Sequence, residues 1–199
     1  TQNRAVTQAD YENLVYRMPA KYGAVKRCCT QKDPNSAKRN LNMYIASVDS
    51  FGKLVVANTT IKNNLKTWLN QHRMINDTVD ILDPYIINLG IEFIVKATTA
   101  VDKFVVLNDC VEQLQEKFSE ALYIGEHLYI TDIYSELKKV SGVLDVIKVK
   151  LTNKTGTDYS STILDINNNL SPDGTYLVVP KNAIVEIKYP DTDIKGKVR

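Results

Sequence analysis

The chain holds few of the side chains from which a catalytic or metal site is built, and their spacing brings little chemistry together. His72 and His127 are its two histidines. Neither stands in a Ser, Cys or carboxylate pattern that would make a triad or a metal site, and each sits beside charged residues near an element end, as surface histidines do. No nucleophile elbow, phosphate-binding loop, dinucleotide fingerprint or zinc spacing is present, and the eight glycines form no phosphate cradle. Asp165-Ile166-Asn167-Asn168-Asn169 begins like a calcium loop. Leu170 then stands where such a loop needs glycine, and Tyr176 where it needs a bidentate glutamate. Asp80 and Asp83 fall at odd spacing on a short strand, so they point to opposite faces and read as a solvated turn. The expectation is a protein with no catalytic residue, no cofactor and no metal, and not an enzyme.

The cysteines agree with that reading. Cys28 and Cys29 are adjacent and point to opposite faces of a strand, and Cys110 lies in a helical pattern, which suits free thiols in a reducing compartment. The Asn-x-Thr sequons at Asn58, Asn76 and Asn153 carry no weight without a secretory signal. Basic residues outnumber acidic ones 25 to 23, for a formal charge of +2, too mixed to imply a nucleic-acid partner. An early concentration at Lys21, Lys26, Arg27, Lys32, Lys38 and Arg39 reads as solvated strand faces and loops, with an acidic protein partner as the alternative. No apolar run reaches the roughly 18 residues of a membrane helix, so no membrane contact is expected. Eleven tyrosines against four phenylalanines favour aromatics that tolerate water. Tyr123, Tyr129 and Tyr134 gather between two predicted helices and are the candidate interface residues, ordinary half-buried packing being the other account.

The elements that would position these residues are legible from periodicity. Thr7-Gln8-Ala9-Asp10 matches a capping box, and Tyr11, Leu14, Val15 and Met18 form the apolar stripe of a helix that Pro19 ends. Strands are expected over residues 24–30 and 41–48, joined by a polar insert in which Asp33-Pro34-Asn35-Ser36 makes the turn. Thr59 or Thr60 would cap a second helix, with Ile61, Leu65, Trp68 and Leu69 on its core face, before a short strand at 79–82. Ile87, Leu89, Ile91, Phe93 and Val95 alternate along the clearest strand, with Glu92 and Lys96 on its other face. A helix with stripe Leu107, Val111, Leu114, Phe118 and Leu122 follows, then one capped by Thr131 and ended by Gly142. In the next strand Ile147, Val149 and Leu151 alternate with Lys148 and Lys150. The fold class is therefore α+β: two small tandem sandwich-like units, 1–83 and 84–152, each with helices on one face of a mixed or antiparallel sheet. Residues 153–199, rich in Asn, Thr, Ser and Asp, read as a β-rich arm or hairpin that buries little of its own surface. It would either add to the second sheet or lie on another chain.

Arg4-Ala5-Val6-Thr7-Gln8-Ala9-Asp10-Tyr11-Glu12, with Val25 in the next strand, resembles the entry motif of the baseplate-J-like family. Val140-Ser141-Gly142-Val143-Leu144-Asp145-Val146 is similar to that family's v-x-GV-x-x-V segment, and the resemblance runs over residues 3–151. The Asp33-Pro34-Asn35 loop and the long segment after Leu151 look like its wedge-protein branch in T-even-type phages. The resemblance implies a structural subunit of a contractile-tail baseplate wedge that forms homodimers, binds other wedge proteins and joins the ring around the tail hub. It also implies rearrangement on sheath contraction, a place in the virion tail, and assembly in the host cytoplasm. Thr1 opens directly on a helix entry without methionine, as expected of the latter portion of a longer protein. The rival class is a small-molecule-binding regulatory module of a larger protein, which would need a pocket with convergent polar groups.

Overall fold

A computed structural model of the chain describes residues 4–34, 36, 39–99 and 101–199. Asn35 of the predicted turn and Lys38 of the basic cluster lie outside these, as does the side chain of Arg39. The chain divides into two compact units, Thr1–Tyr85 with Tyr123–Gly125, and Ile86–Leu122 with Glu126–Arg199. Both mix helices with open sheets, so the class is α+β.

In the first unit the capping box at Thr7 is formed. Thr7 Oγ1 accepts the Asp10 amide at 3.2 Å, and the Asp10 carboxylate accepts the amides of Thr7 and Val6 at 2.8 and 3.1 Å. Those amides, Thr7 first, hold the Asp10 carboxyl below its usual range, as suits an anion at a helix N-terminus. Helix α1 (Gln8–Tyr16) buries Tyr11, Leu14 and Val15 against β1 (Arg27–Lys32). Central strand β2 (Arg39–Val48) pairs antiparallel with β1 and with β3 (Leu54–Val56), and parallel with β4 (Asp77–Leu82). Helix α2 (Thr59–Asn70) is capped by Asn58, one residue before the expected threonines. Its short amide side chain reaches the Ile61 amide at 2.8 Å. Leu65 and Leu69 fill the core, while half-buried Trp68 donates its indole N–H to the Leu14 carbonyl at 2.9 Å. Buried Asp77 ties the unit together. It accepts the Tyr11 hydroxyl at 2.8 Å, and its carbonyl accepts from the Arg73 guanidinium.

The second unit is organised on β5 (Tyr85–Ala97), flanked by antiparallel β7 (Val143–Asn153) and parallel β10 (Ile194–Val198), with β9 (Ala183–Glu186) also pairing to β5. Helix α3 (Lys103–Lys117) packs on β10, and α4 (Ile130–Lys139) packs on β7. The most buried line of α3 is Val106, Cys110 and Leu114, of which Leu114 is in the predicted stripe, and the stripe's Leu107, Val111 and Phe118 flank it half-buried. Phe118 has already left helical geometry as the C-cap. Strand β7 departs from simple alternation through two register shifts against β5, which leave Leu144 and Ile147 unpaired and exposed. Val146 therefore faces the core in place of Ile147. Helix α4 starts at Ile130 without a side-chain cap, and the amides of Ile130 and Thr131 donate to the Thr175 carbonyl at 2.9 and 3.3 Å. No local pattern around Thr131 could have shown a cap supplied from so far along the chain.

Residues 153–199 add to the second sheet through β9 and β10, one of the two placements expected, and they bury more than an arm or hairpin would. Short elements β6 (Leu128–Tyr129), α5 (Ile166–Asn169), β8 (Tyr176–Leu177) and α6 (Pro190–Asp193) complete the unit, with β6 antiparallel to β8. Leu164, Leu177, Val179, Ala183, Val185, Ile187 and Ile194 all enter the core, spaced too irregularly to show as one periodic element. The segment is anchored by polar contacts as well. Asn88 of β5 accepts the Ser160 amide at 2.7 Å and donates to Glu186 at 3.1 Å. Buried Asp193 accepts the Tyr159 hydroxyl at 2.8 Å and the Tyr189 amide at 3.0 Å, with Lys154 at 3.6 Å. Burial first, then Asp193, holds the Tyr159 hydroxyl above its usual range, where it stays a donor.

Two glycines make this packing possible. A Cβ on Gly90 would run into Lys154 and come within 2.9 Å of the Asp193 carbonyl. One on Gly196 would strike the Phe93 ring and lie 2.6 Å from Leu107. Gly196→Ala is accordingly expected to lower stability by about 1–3 kcal/mol in urea unfolding, the usual cost of overpacking. Exposed Lys197→Ala should stay within about 0.5 kcal/mol. Equal midpoints for the two variants would contradict the close approach of β10 to α3.

Candidate functional site

The histidines and the carboxylates Asp83 and Asp165 are taken up in local contacts. His127 Nδ1 accepts the Val179 amide at 3.1 Å and its ring stacks on Tyr176 with centroids 5.5 Å apart. His72 meets Trp68 edge-on at 4.9 Å, and its carbonyl accepts the Ala5 amide at 2.8 Å. Both are half-buried and packed, where surface histidines were expected, because the element ends they occupy are themselves covered by distant chain. Asp165 spends its carboxylate capping α5, accepting the amides of Asn167 and Asn168 at 3.1 and 3.2 Å. Asp83 pairs with Lys62 at 2.6 Å. Among the described residues no three His, Cys, Asp or Glu side chains gather as a metal site.

The three cysteines form no disulfide. Burial pushes the Cys28 thiol far above its ordinary range and the Cys110 thiol up to about 11, with Asp109 adding to the second. Both therefore stay protonated and unreactive near neutrality. Cys29 is half-buried and accepts from the Gln31 side-chain amide at 3.6 Å.

The three tyrosines are separated by the structure. Tyr123 belongs with the first unit, 60% exposed, with the Arg27 guanidinium 4.5 Å over its ring. That contact takes one member of the early basic cluster, and Lys21 lies 4.9 Å over the Tyr22 ring. Tyr129 is 46% exposed in the second unit, tilted against Tyr176 at 5.5 Å. Tyr134 is half-buried against the core, its hydroxyl accepting the Val149 amide at 3.1 Å. Tyr123 and Tyr129 thus present their rings outward, and Tyr134 is committed to holding β7. What the sequence reading passed over is the sheet face of the second unit that carries Lys148, Lys150, Lys195 and Lys197 around Glu92. The alternation of Lys148 and Lys150 was visible, but their partners on β10 are about 45 residues further along.

No protein-family model matches the sequence, and no curated protein is similar to it. Among solved structures, it is similar to a chain in a cryo-EM structure of the anti-feeding prophage (AFP) baseplate, 6-fold symmetrised. The TM-score is 0.57 at 13% identity, over 94% of this chain. The fold is that of a prophage baseplate chain. This chain spans 38% of the length of that one.

The differing thiol environments give a direct check on the packing around this site. In the native protein at pH 8, iodoacetamide should label Cys29 first, and Cys28 and Cys110 only after unfolding, as read by peptide mass mapping. Equal labelling of all three in the native state would contradict the burial described.

Proposed function

We propose that the chain is a structural subunit of a phage tail baseplate: the latter part of a wedge protein, similar to those of T-even-type phages, that catalyses no reaction. In this reading it forms homodimers and contacts other wedge proteins in the ring around the tail hub, and it shifts within that ring when the sheath contracts. It works in the virion tail after assembly in the host cytoplasm. The observation that carries the proposal is the fold shared with an AFP baseplate chain over 94% of the length. The Arg4 to Glu12 motif, which forms the capped entry of α1, supports it independently. Tyr123 and Tyr129 suit the subunit contacts, being large rings with polar tips that lose little on transfer from water to a partner's surface. Tyr134 serves them indirectly by fixing β7.

Light scattering tests the proposal. The purified chain should run at twice its monomer mass and enter larger species when co-expressed with baseplate proteins. Tyr129→Ala should weaken the larger species by about 2 kcal/mol if the ring is a central anchor. A strictly monomeric chain that joins no tail protein, and is stabilised by a metabolite instead, would overturn the assembly role.

A further inference from the structure

Strand β5 is buried on both faces over Ile87 to Ile91 and on one face beyond. Ile87, Leu89, Ile91, Phe93 and Val95 lie in the core throughout. On the opposite face, Asn88 and Gly90 are covered by the chain after Asn153, through the Ser160 amide and the Lys154 side chain. That cover stops there. Glu92 is exposed, Ile94 half-buried and Lys96 exposed.

The pairing registers place flanking residues beside this bare stretch. Glu92 lies between Lys195 on β10 and Lys150 on β7, and Ile94 lies between Lys197 and Lys148. Residues paired in register share a face of the pleat, so the four ammonium groups surround Glu92 and Ile94 on one surface. The surface is a shallow concavity of about 370 Å³ lined by these six residues together with the backbone of Phe93 and Gly196.

Four lysines against one glutamate give this patch +3, while the whole chain carries +2. The rest of the chain therefore sums to −1, with its own early run of basic residues from Lys21 to Lys32. Among the described residues none of the four lysines is in an ion pair. Of the nearby carboxylates, Asp145 pairs with Lys138, Asp193 with Lys154, and Asp191 accepts from Gln115, while Glu112 and Asp191 line the neighbouring concavity beside Lys195 and Lys197. The β7 pair and the β10 pair are separated by β5, and the one carboxylate set between them is that of Glu92. We propose that this open sheet face docks an acidic surface of a partner protein, one that sets carboxylates over the four lysines and an apolar group over Ile94.

Nucleic acid fits the face less well. The concavity has no arginine to grip phosphate by two bonds, and the Phe93 ring is turned into the core, so no aromatic ring is offered to bases. Lysines on edge strands also discourage unwanted strand pairing, a role that either sign of charge fulfils. Charge reversal separates the two accounts, since it keeps the edge charged and inverts the complementarity.

The docking face names the partner chemistry of the assembly role and rests on that role only for where the partner comes from. The probe is a fluorescein-labelled (Glu-Ala)6 peptide, titrated by anisotropy with the purified chain. Binding should weaken as salt rises. It should fall at least tenfold in Lys148→Glu/Lys195→Glu and stay within twofold in Lys66→Glu, an exposed charge of α2. Far-ultraviolet dichroism of both variants checks folding, and Lys148→Gln/Lys195→Gln serves if the reversal does not fold. No binding by the wild type, equal loss in Lys66→Glu, or a 20-base-pair DNA duplex bound tighter than the peptide would each overturn the proposal. Light scattering with co-expressed baseplate proteins separates it from the assembly role. Wild type that joins no tail protein defeats that role, whereas a reversal variant that joins them as wild type does defeats the docking face alone.

Discussion

Strand β5 is the element on which the second unit depends, because a thirteen-residue strand at the centre of an open sheet leaves two apolar or polar faces to be satisfied. One face is solved by α3 and α4. The other is solved over its first half by the chain beyond Asn153, and that solution is polar. Asn88 and Asp193 each hold several partners, which is what lets such groups sit away from water. Removing one partner from a network of this kind leaves a buried group unsatisfied, so the late segment is held by specificity of bonding as well as by its apolar residues. Gly90 and Gly196 follow from the same constraint, since they are where covering chain and helix come closest to the sheet.

The first unit meets a parallel demand with different means. Its sheet is built around β2, and the far edge, β4, is joined to α1 through the Tyr11 hydroxyl on the buried Asp77 carboxylate. That hydrogen bond connects residues 66 positions apart. The capping box at Thr7 sets where α1 begins and hence which turn presents Tyr11 to that carboxylate.

The side chains that could carry chemistry are held in local packing and capping contacts. Histidines are packed against aromatic rings, two thiols are held protonated by burial, and a calcium-like run is spent on a helix cap. What the surface offers is contact: outward tyrosine rings and a lysine-lined sheet face.

Local physics made much of this legible in the sequence. The capping box, the stripe of α1, the alternation of β5 and the approximate placing of its neighbours follow from side-chain periodicity and short-range hydrogen bonding, which adjacent residues carry by themselves. The α+β class follows from their order. The tertiary structure decided what depends on residues far apart. The amides of α4 are capped by Thr175, the register shifts of β7 are set against β5, and the core residues of 153–199 come from loops without a period. The same holds for the candidate surfaces. Tyr123, Tyr129 and Tyr134 are close in sequence, yet the fold assigns them to different surroundings. Lys148 and Lys150 meet Lys195 and Lys197 only because β5 stands between their strands. Periodicity shows which face of a strand a residue takes, and only pairing shows whose side chains share it.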